Sequence, residues 1–167
     1  MGKEKAMDAL KGAILLEIRG KSLYESFAEN AEDGDVKELF AAMADEEDTH
    51  ITVLGEHMKE LDRSGNIGVV PIEDKSPDFS SKIISDRIKE NIGASGSEAA
   101  AISAAMALEE KAVDFYREKR DEAEGDAEIK LYDWLAKWEE SHLQYLAELD
   151  EELTKKVWLD NKFWPIY

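Results

Sequence analysis

Two of the chain's three histidines stand three residues after a glutamate: Glu47 and His50 in "ADEEDTH", Glu139 and His142 in "KWEESHLQYL". On a helix that spacing puts a carboxylate and an imidazole on one face, so each pair can offer an oxygen and a nitrogen to the same cation. In a chain with 39 acidic residues, one such pair is close to what composition alone supplies. The two pairs are, however, related. Displacing the chain by 92 residues lays Glu47 on Glu139 and His50 on His142 without a gap. The same shift lays Glu17 on Glu109, Tyr24 on Tyr116, Leu39 on Leu131, Phe40 on Tyr132, Ala44 on Ala136, Leu54 on Leu146 and Leu61 on Leu153. General helical similarity accounts for the apolar matches, but poorly for two of three histidines at equivalent places.

The faces sharpen the pattern. Glu17 falls on the stripe of Leu10, Ala13, Ile14 and Tyr24, and Glu109 on that of Ile102, Ala105, Met106, Ala112, Val113 and Tyr116. Glu47 sits among Phe40, Met43, Ala44, Ile51 and Leu54, and Glu139 among Tyr132, Leu135, Ala136, Leu143 and Leu146. Four carboxylates are thus expected in the core, one from each of four helices. Burying a lone carboxylate costs several kcal/mol even after relaxation, so four near one another need cations or shared protons.

Hard oxygen ligands with two imidazoles suit iron or manganese, and no thiolate favours a softer metal. The order Glu, E-x-x-H, Glu, E-x-x-H is that of di-iron and di-manganese carboxylate sites in helical bundles. One metal is expected to take Glu17 and His50, the other Glu109 and His142, with Glu47 and Glu139 bridging. Tyr24 and Tyr116, two turns beyond Glu17 and Glu109, are candidate donors that orient those ligands from outside. His57, one heptad after His50, reads as a solvated or structural histidine. Glu46, Glu110 and Glu140 rotate off the stripe and read as surface or outer-shell groups. Trp134, Trp138, Trp158 and Trp164 read as core or subunit interface rather than an electron relay.

The elements that must carry these residues are helices. Apolar periodicity predicts helices over about 4–31 and 35–62, joined by the polar turn "EDGD" around Gly34, and over about 98–123 and 126–156, joined at Gly125. Ser97 is the expected N-cap of the third. Between the hairpins, residues 63–96 hold two of the three prolines and read as a long crossover, with a short amphipathic helix from Ser80 to Asn91 built on Ile83, Ile84 and Ile88. The aromatic tail, residues 157–167, "VWLDNKFWPIY", is expected to pack back on the bundle or on a second subunit. Two antiparallel hairpins joined by one long crossover make an all-α, ferritin-like four-helix bundle, in one domain spanning 1–167.

Composition narrows the function classes. A formal net charge of −18 argues against nucleic acid, whose recognition requires a basic surface, and against an anionic membrane surface. The absence of cysteine removes disulfides and any rubredoxin-type or iron–sulfur centre from this chain. No apolar run reaches the roughly 18 residues of a membrane span, and the first residues lack an uncharged apolar stretch of signal-peptide length. A soluble, cytoplasmic protein is the expectation.

The segments "ILLEIRGKSLYESFAE", "ADEEDTH", "ALEEKAVDFYREKRDEAEG" and "KWEESHLQYLAEL" together resemble the rubrerythrin-related, ferritin-like di-iron proteins, over nearly the whole chain outside the crossover and tail. The resemblance implies two iron ions and reduction of hydrogen peroxide with electrons from an external donor such as a rubredoxin-like protein; the ligand set leaves manganese as the alternative metal, and dioxygen is the alternative substrate of such a centre. The resemblance also implies a homodimer. Matched position by position, it supports Glu17, Glu47, His50, Glu109, Glu139 and His142 as ligands, with Tyr24 and Tyr116 behind them. Two departures stand out. Rubrerythrins of the usual kind carry a four-cysteine rubredoxin domain, and this chain has no cysteine. They also have an extra glutamate one turn after the third-helix ligand, where this chain has Ala112, with Gly20 as its repeat counterpart. Three functions therefore compete: a di-iron oxidoreductase, an iron-handling or ferroxidase protein, and a metal-free helical scaffold.

Overall fold

The computed structural model of the chain describes residues 2–68 and 96–160. Four long helices run through them: α1, Lys3–Asn30; α2, Gly34–Ser64; α3, Gly96–Glu122; and α4, Asp126–Asp160. No strand occurs among the described residues. Three residues separate α1 from α2, and three separate α3 from α4, so the two hairpins keep one loop length, as the repeat requires.

Local chemistry fixes the ends. Asp33 caps α2: its side chain accepts from the backbone N–H of Asp35 at 2.9 Å and of Val36 at 3.1 Å, which satisfies two donors that a helix start leaves free. Gly34, expected in the turn, is instead the first helical residue. Its counterpart Asp126 likewise opens α4. At the far end of α2, Gly65 adopts φ 81° and donates its N–H to the Leu61 carbonyl at 2.9 Å. That left-handed conformation is the reason for a glycine there. Ser97 lies inside the first turn of α3 rather than at its cap, since the helix already includes Gly96.

Helix α1 packs along α2 and α3 along α4, with α1 also lying against α3. The apolar core is divided in two. One part gathers Tyr24, Leu39, Phe40 and Met43 of the first hairpin with Ile102, Ala105, Leu146 and Leu149 of the second. The other gathers Leu10, Ala13, Leu54 and Leu61 with Tyr116, Leu131, Tyr132 and Leu135. The repeat exchanges most members of one for members of the other, as a pseudo-two-fold axis through the bundle would. Fully buried leucines such as Leu10, Leu54, Leu131 and Leu146 each contribute roughly 1.5–3 kcal/mol of burial. Between the two apolar halves lies a polar band.

The short helix expected from Ser80 to Asn91, most of the crossover and Asn161 to Tyr167 of the tail lie outside the described residues. The start of the expected tail is part of α4, where Val157 and Trp158 are exposed. Arg63 and Ser64, assigned to the crossover from sequence, belong to α2.

Candidate metal centre

The polar band is built from the middle turns of all four helices. Helix α1 supplies Glu17, α2 supplies Glu47 and His50, α3 supplies Glu109, and α4 supplies Glu139 and His142. None of the six residues is more than 3% exposed. The structure therefore brings together every residue that the spacing singled out as a ligand.

Their geometry forms two overlapping groups, Glu17, Glu47, His50 and Glu139, and Glu47, Glu109, Glu139 and His142. In each group one oxygen or nitrogen per residue lies within 4.8 Å of all the others. Glu47 and Glu139 belong to both. Around His50 Nδ1 stand carboxylate oxygens of Glu17 at 3.2 Å, Glu47 at 3.4 Å and Glu139 at 3.1 Å. Around His142 Nδ1 stand Glu139 at 3.2 Å, Glu109 at 3.4 Å and Glu47 at 4.0 Å. An imidazole nitrogen carries at most one proton, so three acceptors converging on it outnumber the donors. Both oxygens of Glu139 are buried without an aligned hydrogen bond among the described residues, despite the nearby ring nitrogens. Such an excess of hard, buried acceptors fits divalent cations, and the oxygen-rich donor set fits iron or manganese.

The electrostatics express the same excess. Burial, then the Glu139 and Glu47 charges, holds the Glu17 carboxyl well above the usual range. Burial and Glu139 push Glu109 up to about 8. Burial would also raise Glu139, but His50 and His142 on either side outweigh it and hold its carboxyl below the usual range. Burial works to lower both imidazoles, yet the carboxylates win: Glu139, Glu17 and Glu47 raise His50 well above its ordinary value, and Glu109, Glu139 and Glu46 do so for His142. In the absence of a cation, shared protons neutralise this cluster.

The tyrosines cross between hairpins. Tyr116 Oη donates to Glu17, and Tyr24 Oη donates to Glu109. Both rings are fully buried, and burial together with the Glu109 charge keeps the Tyr24 hydroxyl protonated far above its ordinary range. Each tyrosine fixes the carboxylate contributed by the other half of the repeat.

Gly20 lies against the centre. A methyl group placed there would meet Glu47 Cδ at 3.4 Å and Leu108 Cδ2 at 3.5 Å. Its counterpart Ala112 is buried on α3. Neither position offers a further carboxylate, and among the described residues the buried groups consist of the six-residue set.

Glu46 was expected at the surface or in an outer shell, and it takes the second place. Its Oε2 lies 2.5 Å from His142 Nε2 and accepts the indole N–H of Trp138 at 2.9 Å. Burial would raise the Glu46 carboxyl, but the bond to His142 outweighs it and lowers it. Glu140 instead pairs with Arg117 at 2.9 Å on the surface, and Glu110 is exposed. His57 stays out of the centre. It is buried, with neither ring nitrogen hydrogen-bonded among the described residues, and burial lowers its proton affinity, which fits a neutral core histidine. Its repeat counterpart Leu149 is fully buried, which is the signal in the sequence that position 57 faces inward. Trp138 is buried and Trp134 half-buried, and the two rings lie against His50. Trp158 is exposed at the end of α4.

No helix among the described residues is long and apolar enough to cross a membrane. Comparison with known proteins gives one family and one fold. A solved structure of a hypothetical protein from Pyrococcus furiosus superimposes with a TM-score of 0.63 at 22% identity, covering 93% of this chain and 97% of that one. This likeness extends to the fold alone. No curated protein matches the chain. The rubrerythrin family model matches residues 8–150, a span that takes in most or all of each of the four helices and all six residues of the buried centre. On that match the chain belongs to the rubrerythrin family.

Proposed function

We propose that this protein is a non-haem di-iron oxidoreductase that reduces hydrogen peroxide or dioxygen with electrons from a separate donor protein. The observation that carries the reading is the pair of overlapping buried groups sharing Glu47 and Glu139. A site for one cation needs only one such group, whereas shared carboxylates suit two cations held side by side. In this reading Glu17 and His50 serve one position, Glu109 and His142 the other, and Glu47 and Glu139 bridge. When bound, two ferrous ions supply the two electrons that reduction of a peroxide requires.

The chain's own residues do the rest. The two apolar halves of the core exclude bulk water from both sides of the band, which strengthens every charge interaction inside it. Tyr116 and Tyr24 hold Glu17 and Glu109 in fixed orientations, so each carboxylate is positioned before a cation arrives. The protons that Glu17, Glu109 and the imidazoles hold in the metal-free state leave as cations enter.

The test is anaerobic reconstitution of purified protein with ferrous ion, measurement of bound iron, then addition of peroxide in the presence of a reductant. The expected result is two irons per chain and repeated consumption of peroxide. Ferric iron accumulating beyond two per chain would favour iron handling instead. Failure to bind iron or manganese, with no change in thermal stability on adding either, would support a metal-free scaffold and refute the proposal.

A further inference from the structure

The pseudo-two-fold that relates the two halves of the centre holds for its carboxylates, imidazoles and tyrosines, and it fails at positions beside them: Gly20 and Ala112, Ala42 and Trp134, and residues 46 and 138. Residue 46 is a glutamate and its 92-residue counterpart is Trp138. The two counterparts touch: Trp138 Nε1 donates to Glu46 Oε2 at 2.9 Å. The same oxygen lies 2.5 Å from His142 Nε2. One carboxylate oxygen therefore receives an indole N–H and an imidazole N–H together.

Among the described residues His50 has no such partner. Its ring lies perpendicular to Trp138, with centroids 5.0 Å apart, and close to perpendicular to Trp134 at 5.6 Å. Its Nε2 is buried and makes no hydrogen bond among the described residues. The two imidazoles thus present the same atom, Nδ1, to the shared carboxylates while their far sides meet different chemistry. A histidine that donates its distal N–H to a carboxylate is fixed in tautomer and orientation and is a more basic ligand at its other nitrogen. A histidine whose distal N–H faces two indoles receives neither benefit.

We infer that the two metal positions are inequivalent: the position served by His142 fills first with a divalent cation, and Glu46, held by Trp138, is the positioning residue that sets this order. The inference rests on the reading of the six buried residues as a two-metal site. Glu46 touches no cation and no substrate in this account and acts through His142. Because its side chain is 22% exposed, it can be altered with less disturbance of the core than any ligand.

The test is an anaerobic titration of the metal-free full chain with cobalt(II) alone, followed by calorimetry and by the visible d–d bands that report coordination. Wild-type protein should bind two cobalt ions in two steps of unequal affinity. His142→Ala should remove the tighter step and His50→Ala the weaker one. Glu46→Gln, close to isosteric, should weaken the tighter step by about 10–100-fold and leave the weaker step where it was. Trp138→Phe keeps Glu46 on His142 and should retain two unequal steps, while the melting temperature of each metal-free variant checks that it folds. Two equal steps in the wild type, loss of the tighter step in His50→Ala, or a Glu46→Gln effect shared equally by both steps would overturn the inequivalence while leaving the two-metal reading intact. No cobalt binding by the wild type would overturn both.

Discussion

Loading the centre with metal should expel protons, and the number follows from the structure. Each half of the repeat contributes one carboxyl held above its usual range, Glu17 or Glu109, and one imidazole held above its own, His50 or His142. A cation needs those atoms deprotonated. Near pH 6.5 each metal therefore displaces about two protons, and a filled site about four. Two protons per metal make the affinity rise about 100-fold per pH unit, about 2.7 kcal/mol. Above about pH 8, where Glu109, titrating at about 8, has released its own proton, one proton fewer is displaced and the dependence should become shallower. Calorimetric titration with manganese(II) in buffers of different ionisation enthalpy reads the proton number directly, as the slope of observed against buffer enthalpy. Fewer than one proton released per metal, together with an affinity that stays flat between about pH 6 and 7.5, would refute the charge state assigned to the cluster.

Without metal, the same groups make stability fall as pH rises. Glu109 is protonated in the folded chain up to about 8 and in the unfolded chain only up to about 4.5. Its contribution is complete below the lower value and lost as pH passes the upper one, a change of up to roughly 5 kcal/mol; urea melts of metal-free protein at pH 5 and 8 check it, and greater stability at pH 8 would contradict it. His50→Ala and His142→Ala should each lose bound metal while His57→Ala keeps it, by metal analysis after reconstitution; equal loss in His57→Ala would mean that His57 reaches the centre. Tyr24→Phe and Tyr116→Phe each leave a buried carboxyl without its donor and should cost about 1–3 kcal/mol in thermal melts of metal-free protein, with closely similar values because the two sites are repeats of each other. Gly20→Ala meets only ordinary contacts at 3.4 and 3.5 Å and should stabilise α1 by roughly 1 kcal/mol with metal stoichiometry unchanged; a lower melting point would show that Glu47 needs the space.

Much of this molecule can be read from one dimension. The 3.6-residue period located four helices to within a few residues, because a stripe of apolar side chains records which face a helix buries. The 92-residue repeat added what periodicity lacks, since two histidines and two upstream glutamates recurring together mark one structural unit used twice. Periodicity does not record which neighbour lies across the core. That Tyr24 reaches Glu109 and Tyr116 reaches Glu17, each across to the other hairpin, follows only from how the hairpins face one another. Glu46 shows the same limit: its angle on α2 places it beside the ligand stripe, but its bond to His142 depends on α4 presenting His142 and Trp138 to one oxygen. His57 was ambiguous for the converse reason, because a polar side chain on an apolar stripe does not say whether the helix turns it inward. Thus residue types and spacing determined the helices, the repeat and the six residues of the centre, whereas the partners of those residues and the difference between the two imidazoles were decided by tertiary packing, which alone sets distances between side chains far apart in the chain.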